Sequence, residues 1–304
     1  MQPLGTSRRQ ASETRVEHDS MGEVQVPLHA LWGAQTQRSY ENFPIGSEKM
    51  PREIISAFAQ VKKAAARANC RLGKLDSHSC ELICQAADEV LAGDWEEMFP
   101  LAVWQTGSGT QSNMNMNEVL ANRVNQLAGE RIAHPNDTIN MSQSSNDTFP
   151  TALHVAATLA LRRRLLPAAG HLCDVLRRLE QENQGVVKCG RTHLQDAVPI
   201  AFSQEISGWR GLVEGSCEEI EKSMAFLHRL ALGGTAVGTG LNAPSGFAEE
   251  VAAQLAELTG EPFVSDPNKF RALTGKDAVV FSHGAVKALA ANMMKIALSL
   301  KHIC

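Results

Sequence analysis

Aromatic residues are scarce in this chain: they make up 5% of its 304 residues, with a single tyrosine. Long apolar runs are missing too. Nothing approaches the roughly 20 residues of a membrane span, so no membrane partner is expected. Positive charge is not in excess, with 29 Lys and Arg against 33 Asp and Glu for a net charge of −4. That leaves no general basic face for nucleic acid, and the run Arg162, Arg163, Arg164 reads as a solvated helix face. Cysteine is present seven times, at Cys70, Cys80, Cys84, Cys173, Cys189, Cys217 and Cys304, but never as C-x-x-C. Cys80 and Cys84 stand four apart in a helical pattern, and no second Cys/His pair has ligand spacing, so no metal is expected. A reduced, intracellular chain fits this usage. There is no Walker A run, no H-E-x-x-H and no G-x-S-x-G. The glycine-rich "GGTAVGTG" at 233–240 has the wrong spacing for a dinucleotide fingerprint and follows a helical pattern rather than a strand. The N-terminal "MQPLGTSRRQAS" has no apolar stretch, which argues against a secretory signal; it is acid-free with two arginines, a hint of a transit peptide. The expected compartment is the cytoplasm, with the mitochondrion as the alternative. Three N-x-[ST] triplets, at Asn136, Asn140 and Asn146, then read as chance or function rather than glycosylation.

What the chain has is helix. Ala and Leu are abundant. Pro51 suits a first helical position, Ile54, Ile55, Phe58, Val61, Ala65 and Ala68 follow at helical spacing, and Gly73 stops the run. Asp76 is placed to cap a second helix ended by Gly93. A third spans about Gln111 to Leu127, before Gly129. Two longer patterns follow, from about Thr151 to Asn183 with a kink expected at Pro167, and from about Pro199 to Leu232. Their length predicts a long bundle. Further helices fit 246–259 and 276–301. "GVVKCGRTHL" at 185–194 reads as a strand or turn, and residues 14–27 as a short β-hairpin. A bundle of this kind exposes apolar faces that copies of itself would cover, which predicts a homo-oligomer.

Three polar clusters stand just ahead of predicted helices. "TGSGTQSNMNMN" at 106–117 carries Ser108, Gly109, Thr110 and Asn113. "MSQSSNDTFPT" at 141–151 carries Ser144, Ser145 and Asn146. "GRTHLQD" at 190–196 carries Thr192 and His193. Each reads either as an ordinary helix cap or as an anion seat, because free N–H groups and the positive end of the helix dipole gather there. Hydroxyl and amide donors hold a carboxylate without burying a cation, and each hydrogen bond to a charged group contributes roughly 1.5–3 kcal/mol. Three such clusters suit a small dianion. His193 is the one group among them that titrates near neutrality, a candidate for proton transfer. "ERIAHPND" at 130–137 adds Arg131, His134, Pro135, Asn136 and Asp137, either a polar loop or a second site.

"TGSGTQSNMNMNEV", "HPND", "QSSND", "GRTHLQDA" and "GGTAVGTGLN", with "PLHALWGAQTQRS" at 27–39, together resemble class II fumarate hydratase of the fumarase/aspartase superfamily. The resemblance runs from about Arg15 to Ala297. It implies a mainly α fold: a helical N-terminal domain over 1–138 with a short N-terminal β-hairpin, then a long-helix bundle over 139–304 that assembles as a tetramer. It implies reversible hydration of fumarate to (S)-malate, with no metal or organic cofactor. Carried over by motif, Ser108, Gly109, Thr110, Ser144, Ser145, Asn146 and Thr192 bind the substrate dicarboxylate, and His193 is the catalytic group that handles water. Arg131, His134, Pro135, Asn136 and Asp137 match a second dicarboxylate site. Different subunits contribute to one active site in such enzymes. Aspartase-like ammonia lyases share most of these motifs but carry Gln where His193 stands, which favours water as the added group.

One motif of that family, a Gly-Ser-Ser-x-Met-Pro-Gly-Lys-x-Asn loop bearing a basic serine and a carboxylate-holding lysine, does not occur in the 304 residues. The C-terminal third expected from the resemblance is missing, and the match fades after Ala297. Two readings therefore stand: a fumarate hydratase chain that is catalytically incomplete as given, or a non-catalytic helical remnant that associates with full-length subunits.

Overall fold

The computed structural model describes residues 13–303. The stretch 1–12, on which the signal and transit-peptide readings fall, and Cys304 lie outside the described residues. Strands β1 (Thr14–Asp19) and β2 (Gly22–Pro27) form the antiparallel hairpin read at 14–27, in register from Thr14↔Pro27 to Asp19↔Gly22. The Arg15 guanidinium donates to the carbonyls of Pro27 at 3.0 Å, Ala30 at 2.7 Å and Trp32 at 2.7 Å, which fixes the turn into helix α1 (Ala34–Asn42). The start of α1 is capped from a distance. The buried Glu118 carboxylate accepts from the amides of Gly33, Gln35 and Thr36 at 2.9, 2.9 and 3.1 Å. Burial pushes that carboxyl up, and the three amides pull it back.

Helix α2 (Arg52–Arg71) follows Pro51. Helix α3 (Ser77–Ala92) is capped by Asp76, whose carboxylate accepts from Ser79 N at 2.9 Å, and it ends on Gly93 at φ 96°. Helix α4 (Thr110–Ala128) closes on Gly129 at φ 72°. Phe58, Val61, Ile83, Met116, Leu120 and Val155 meet in a first core, each such side chain contributing about 1.5–3 kcal/mol.

The first long helix is continuous but not uniform. Helix α5 (Ser145–Ala160) passes through a π-type turn at Leu161–Leu165 into α6 (Leu166–Glu182). It starts earlier than the apolar pattern suggests, because Ser144 and Asp147 form a capping box. The expected disruption at Pro167 falls one turn earlier. A helical proline has no N–H and crowds the carbonyl four residues back, and the widened turn takes up both defects.

The second long helix is shorter than expected. Residues 187–201 form a hairpin, β3 (Val187–Thr192) and β4 (Gln195–Ala201), so α7 (Phe202–Leu227) begins after Ala201 rather than at Pro199. Pro199 sits in β4 opposite Cys189, a place where a two-stranded ribbon tolerates the missing donor. Beyond α7, β5 (Arg229–Leu230) pairs in parallel with β6 (Val264–Ser265). Helices α8 (Phe247–Thr259), α9 (Lys269–Thr274) and α10 (Asp277–Ile303) complete the chain. Helices α6, α7 and α10 enclose a second core around Leu176, Trp209, Val213, Ile220, Met224 and Leu289. Among the described residues no helix is long and apolar enough to cross a membrane.

Candidate active site

The first cluster lies where α4 begins. Gly109 caps the helix in the left-handed region at φ 73°, and a Cβ placed on it would sit 2.1 Å from Phe149 Cγ on α5. Ser108 is exposed, with its hydroxyl 3.2 Å from that of Thr106 and 3.1 Å from that of Thr110. A helix leaves the N–H groups of its first turn without intrahelical partners, and here they open beside three hydroxyls.

The second cluster lies where α5 begins, and part of it is a cap. Ser144 Oγ accepts from Asn146 N at 3.2 Å, while Ser144 N donates to Asp147 Oδ1 at 2.9 Å. The other oxygen of Asp147 accepts from Gly233 N at 3.0 Å and Thr235 N at 2.8 Å, and Asn146 Nδ2 donates to Ala236 O at 2.8 Å. The glycine-rich 233–240 segment is thus a clamp on the α5 start. Its backbone reaches Asp147 only because Gly233 stands at φ 95° with Ala248 packed where a Cβ would go. Burial raises the Asp147 carboxyl to about 6, opposed by the three amides and by Lys62.

These two clusters are joined. Asn113 Nδ2 on α4 donates to Ser145 Oγ on α5 at 2.9 Å, and also to Asn140 Oδ1 at 3.2 Å. Asn117 Nδ2 reaches the same Asn140 oxygen at 3.2 Å, and Lys62 Nζ reaches it at 2.9 Å. Lys62 also donates to Gln143 Oε1 at 2.9 Å. Its side chain is buried, which lowers its amine to about 7, with Asp147 opposing.

The third cluster is not at a helix start. Thr192 ends β3, and His193 (φ 50°) and Leu194 (φ 62°) form the two-residue turn to β4. Two positive φ values in succession define a type I′ turn, which matches the twist of a hairpin. Thr192 and His193 are exposed there. They border a cavity of about 650 Å³ between the hairpin and the end of α10, with Lys188, Lys295 and Ser299 on its wall. The Ser145 cluster begins the α5–α6 helix and the hairpin follows its end. At 1.5 Å per residue that helix is on the order of 55 Å long. Within one chain His193 does not meet Ser108 or Ser145.

The 130–137 stretch forms its own small unit. His134 caps a π-type turn at Pro135–Ile139, its Nδ1 lying 3.1 Å from Asp137 Oδ2 and 3.3 Å from Asp137 N. Arg131, His134, Asn136 and Asp137 are exposed and Pro135 is half-buried.

Sequence reasoning placed Gln143 and Asp147 in the polar 141–151 stretch without assigning them a role, and it missed Lys62 and Asn140 as parts of this site. The available signal was a lysine on the apolar stripe of α2, between Phe58 and Ala65. Asn140 was legible only as a glycosylation triplet.

The profile of the lyase family matches residues 22–304, and the chain belongs to that family. It is 56% identical over 289 residues to the class II fumarate hydratase of Bacillus cereus, covering 94% of this chain and 63% of that protein. It is 54% identical over 290 residues to the class II fumarate hydratase of Campylobacter jejuni, covering the same shares of both chains. The crystal structure of class II fumarase from Schistosoma mansoni superposes with a TM-score of 0.91 at 39% identity, covering 94% of this chain and 64% of that one. The chain therefore spans less than two thirds of the length of these relatives.

Proposed function

We propose that this chain carries the dicarboxylate-binding and water-handling residues of a fumarate hydratase, interconverting fumarate and (S)-malate. The observation that carries the reading is the Asn113–Ser145 hydrogen bond, which brings two helix starts rich in uncharged donors together. Ser108, Gly109, Thr110, Ser144, Ser145 and Asn146 then receive the carboxylates. Loss of the carbon-bound proton of malate leaves an aci-carboxylate with extra negative charge. Fixed donors stabilise that charge, and removal of one costs on the order of 10²–10³ in rate. Thr192 orients the substrate, and His193 moves the proton to and from water. Since the helix holds His193 far from the donors of its own chain, we assign it to the site of another copy. Exposed apolar residues on α10, among them Val280 at 67%, Phe281 at 53% and Met294 at 64%, support such an assembly. Arg131, His134, Pro135, Asn136 and Asp137 form a second, surface dicarboxylate site in this reading.

The serine base and the cationic loop expected from the resemblance are not among these 304 residues. The chain by itself is expected to bind fumarate with little turnover. Calorimetry with fumarate and an assay following fumarate absorbance test this. Absence of fumarate binding, or formation of aspartate from fumarate and ammonia, would overturn the hydratase reading.

A further inference from the structure

Lys62 lies in the middle of α2, 1% exposed, among apolar neighbours such as Phe58 and Val61. A buried ammonium is expensive unless its protons are all received. Its two close partners are neutral amide oxygens, Asn140 Oδ1 and Gln143 Oε1, both at 2.9 Å, and Asp147 acts on it only at longer range. Both partners belong to the 139–143 turn that delivers the chain into α5. Asn140 Oδ1 is the point of convergence, taking donors from Lys62, Asn113 and Asn117. Asn113 in turn holds Ser145 Oγ, and its own Oδ1 is buried without a partner. Remove the lysine and the acceptor that orients Asn113 loses its anchor.

We propose that Lys62, acting through Asn140, is the positioning residue that sets the α4 start and the α5 start against each other as one dicarboxylate seat. The inference rests on the dicarboxylate reading for the seat's occupant, but the positioning itself is independent of it. Lys62 touches no substrate. Through its hydrogen bonds to Asn140 and Gln143 it locks two donor-bearing helix ends that lie far apart in sequence.

The test is amide hydrogen exchange on the 304-residue chain, with fumarate affinity measured alongside by calorimetry. Lys62→Met keeps the length and removes the donor. Amides over 110–118 and 144–150 should exchange about tenfold faster together, with fumarate bound about tenfold more weakly, as loss of a hydrogen bond to a charged group implies. Amides over 247–259, on the helix that packs against α2 from another side, should be unchanged. Asn140→Leu should reproduce the effect. Asn140→Asp, which keeps an acceptor oxygen for Lys62 and Asn113, should restore the exchange protection even if anion affinity stays low. Unchanged exchange at both starts in Lys62→Met, or equal loosening over 247–259, would overturn the proposal. A wild-type chain that takes no fumarate would count against the dicarboxylate reading, and the exchange results would still decide the positioning role.

Discussion

Gly109 and Phe149 are in direct opposition: the α carbon that starts α4 faces the ring of an α5 residue so closely that a Cβ there would lie 2.1 Å from Cγ. The two helix starts of the candidate site touch at a point where only hydrogen fits. Gly109→Ala should therefore strain a left-handed backbone and drive the ring away, losing about 2–4 kcal/mol. Urea unfolding measures it. Fumarate affinity should fall with stability, and adding Phe149→Leu should recover part of both.

Asp147 caps α5 and holds the glycine-rich clamp with the same carboxylate. Asparagine must turn an N–H toward one of these amides, so Asp147→Asn should cost about 1–3 kcal/mol near neutrality. The folded carboxyl sits at about 6 against an ordinary 3.8. Between those values the folded state keeps a proton that the unfolded state has lost. Its contribution to stability is full below 3.8 and is lost as pH rises through about 6, at up to about 1.4 kcal/mol per pH unit. Denaturant midpoints from pH 4 to 7 should show this decline in wild type minus Asp147→Asn.

Lys62 has the opposite dependence. Its amine is held at about 7 against an ordinary 10.5. From about 7 to 10.5 the unfolded state carries a proton that the folded state lacks, so its contribution grows with pH and is lost as pH falls through about 7. Lys62→Met should remove that alkaline gain. An identical difference between wild type and variant at pH 7 and pH 9 would contradict the assignment.

His193 stands on a hairpin remote from the donors of its own chain. In the catalytically complete protein, His193→Asn should lower turnover at least about 10²-fold. Ser145→Ala should also be impaired. When the two variants are co-assembled, about a quarter of sites should regain both intact residues if two copies build one site. No recovery on mixing would mean that each site draws on a single chain.

Much of the helical frame was legible because its ends are chemically marked. Pro51, Asp76, Gly93 and Gly129 each force or favour a boundary by themselves. The hairpin at 187–201 was only partly legible, since Pro199, Ile200, Ala201 and Phe202 continue an apolar pattern that serves either a strand or a helix. The polar clusters on α4 and α5 were legible as donors, but not their junction. Lys62 on α2, Asn113 and Asn117 on α4, and Asn140 come from three separate segments, and nothing in local spacing announces that the one Asn140 amide oxygen will accept from the other three. The place of His193 was hidden for a related reason: a two-residue turn of His and Leu lacks the glycine or asparagine that usually advertises positive φ.

The unbroken rod from Ser145 to Glu182 has an evolutionary corollary. Adding or deleting one residue within it would swing everything beyond by about 100° and shift it by 1.5 Å. In the proposed assembly the imidazole would then be aimed at a different neighbour. Length changes in this segment should be nearly forbidden among working descendants, while the outer loops vary freely.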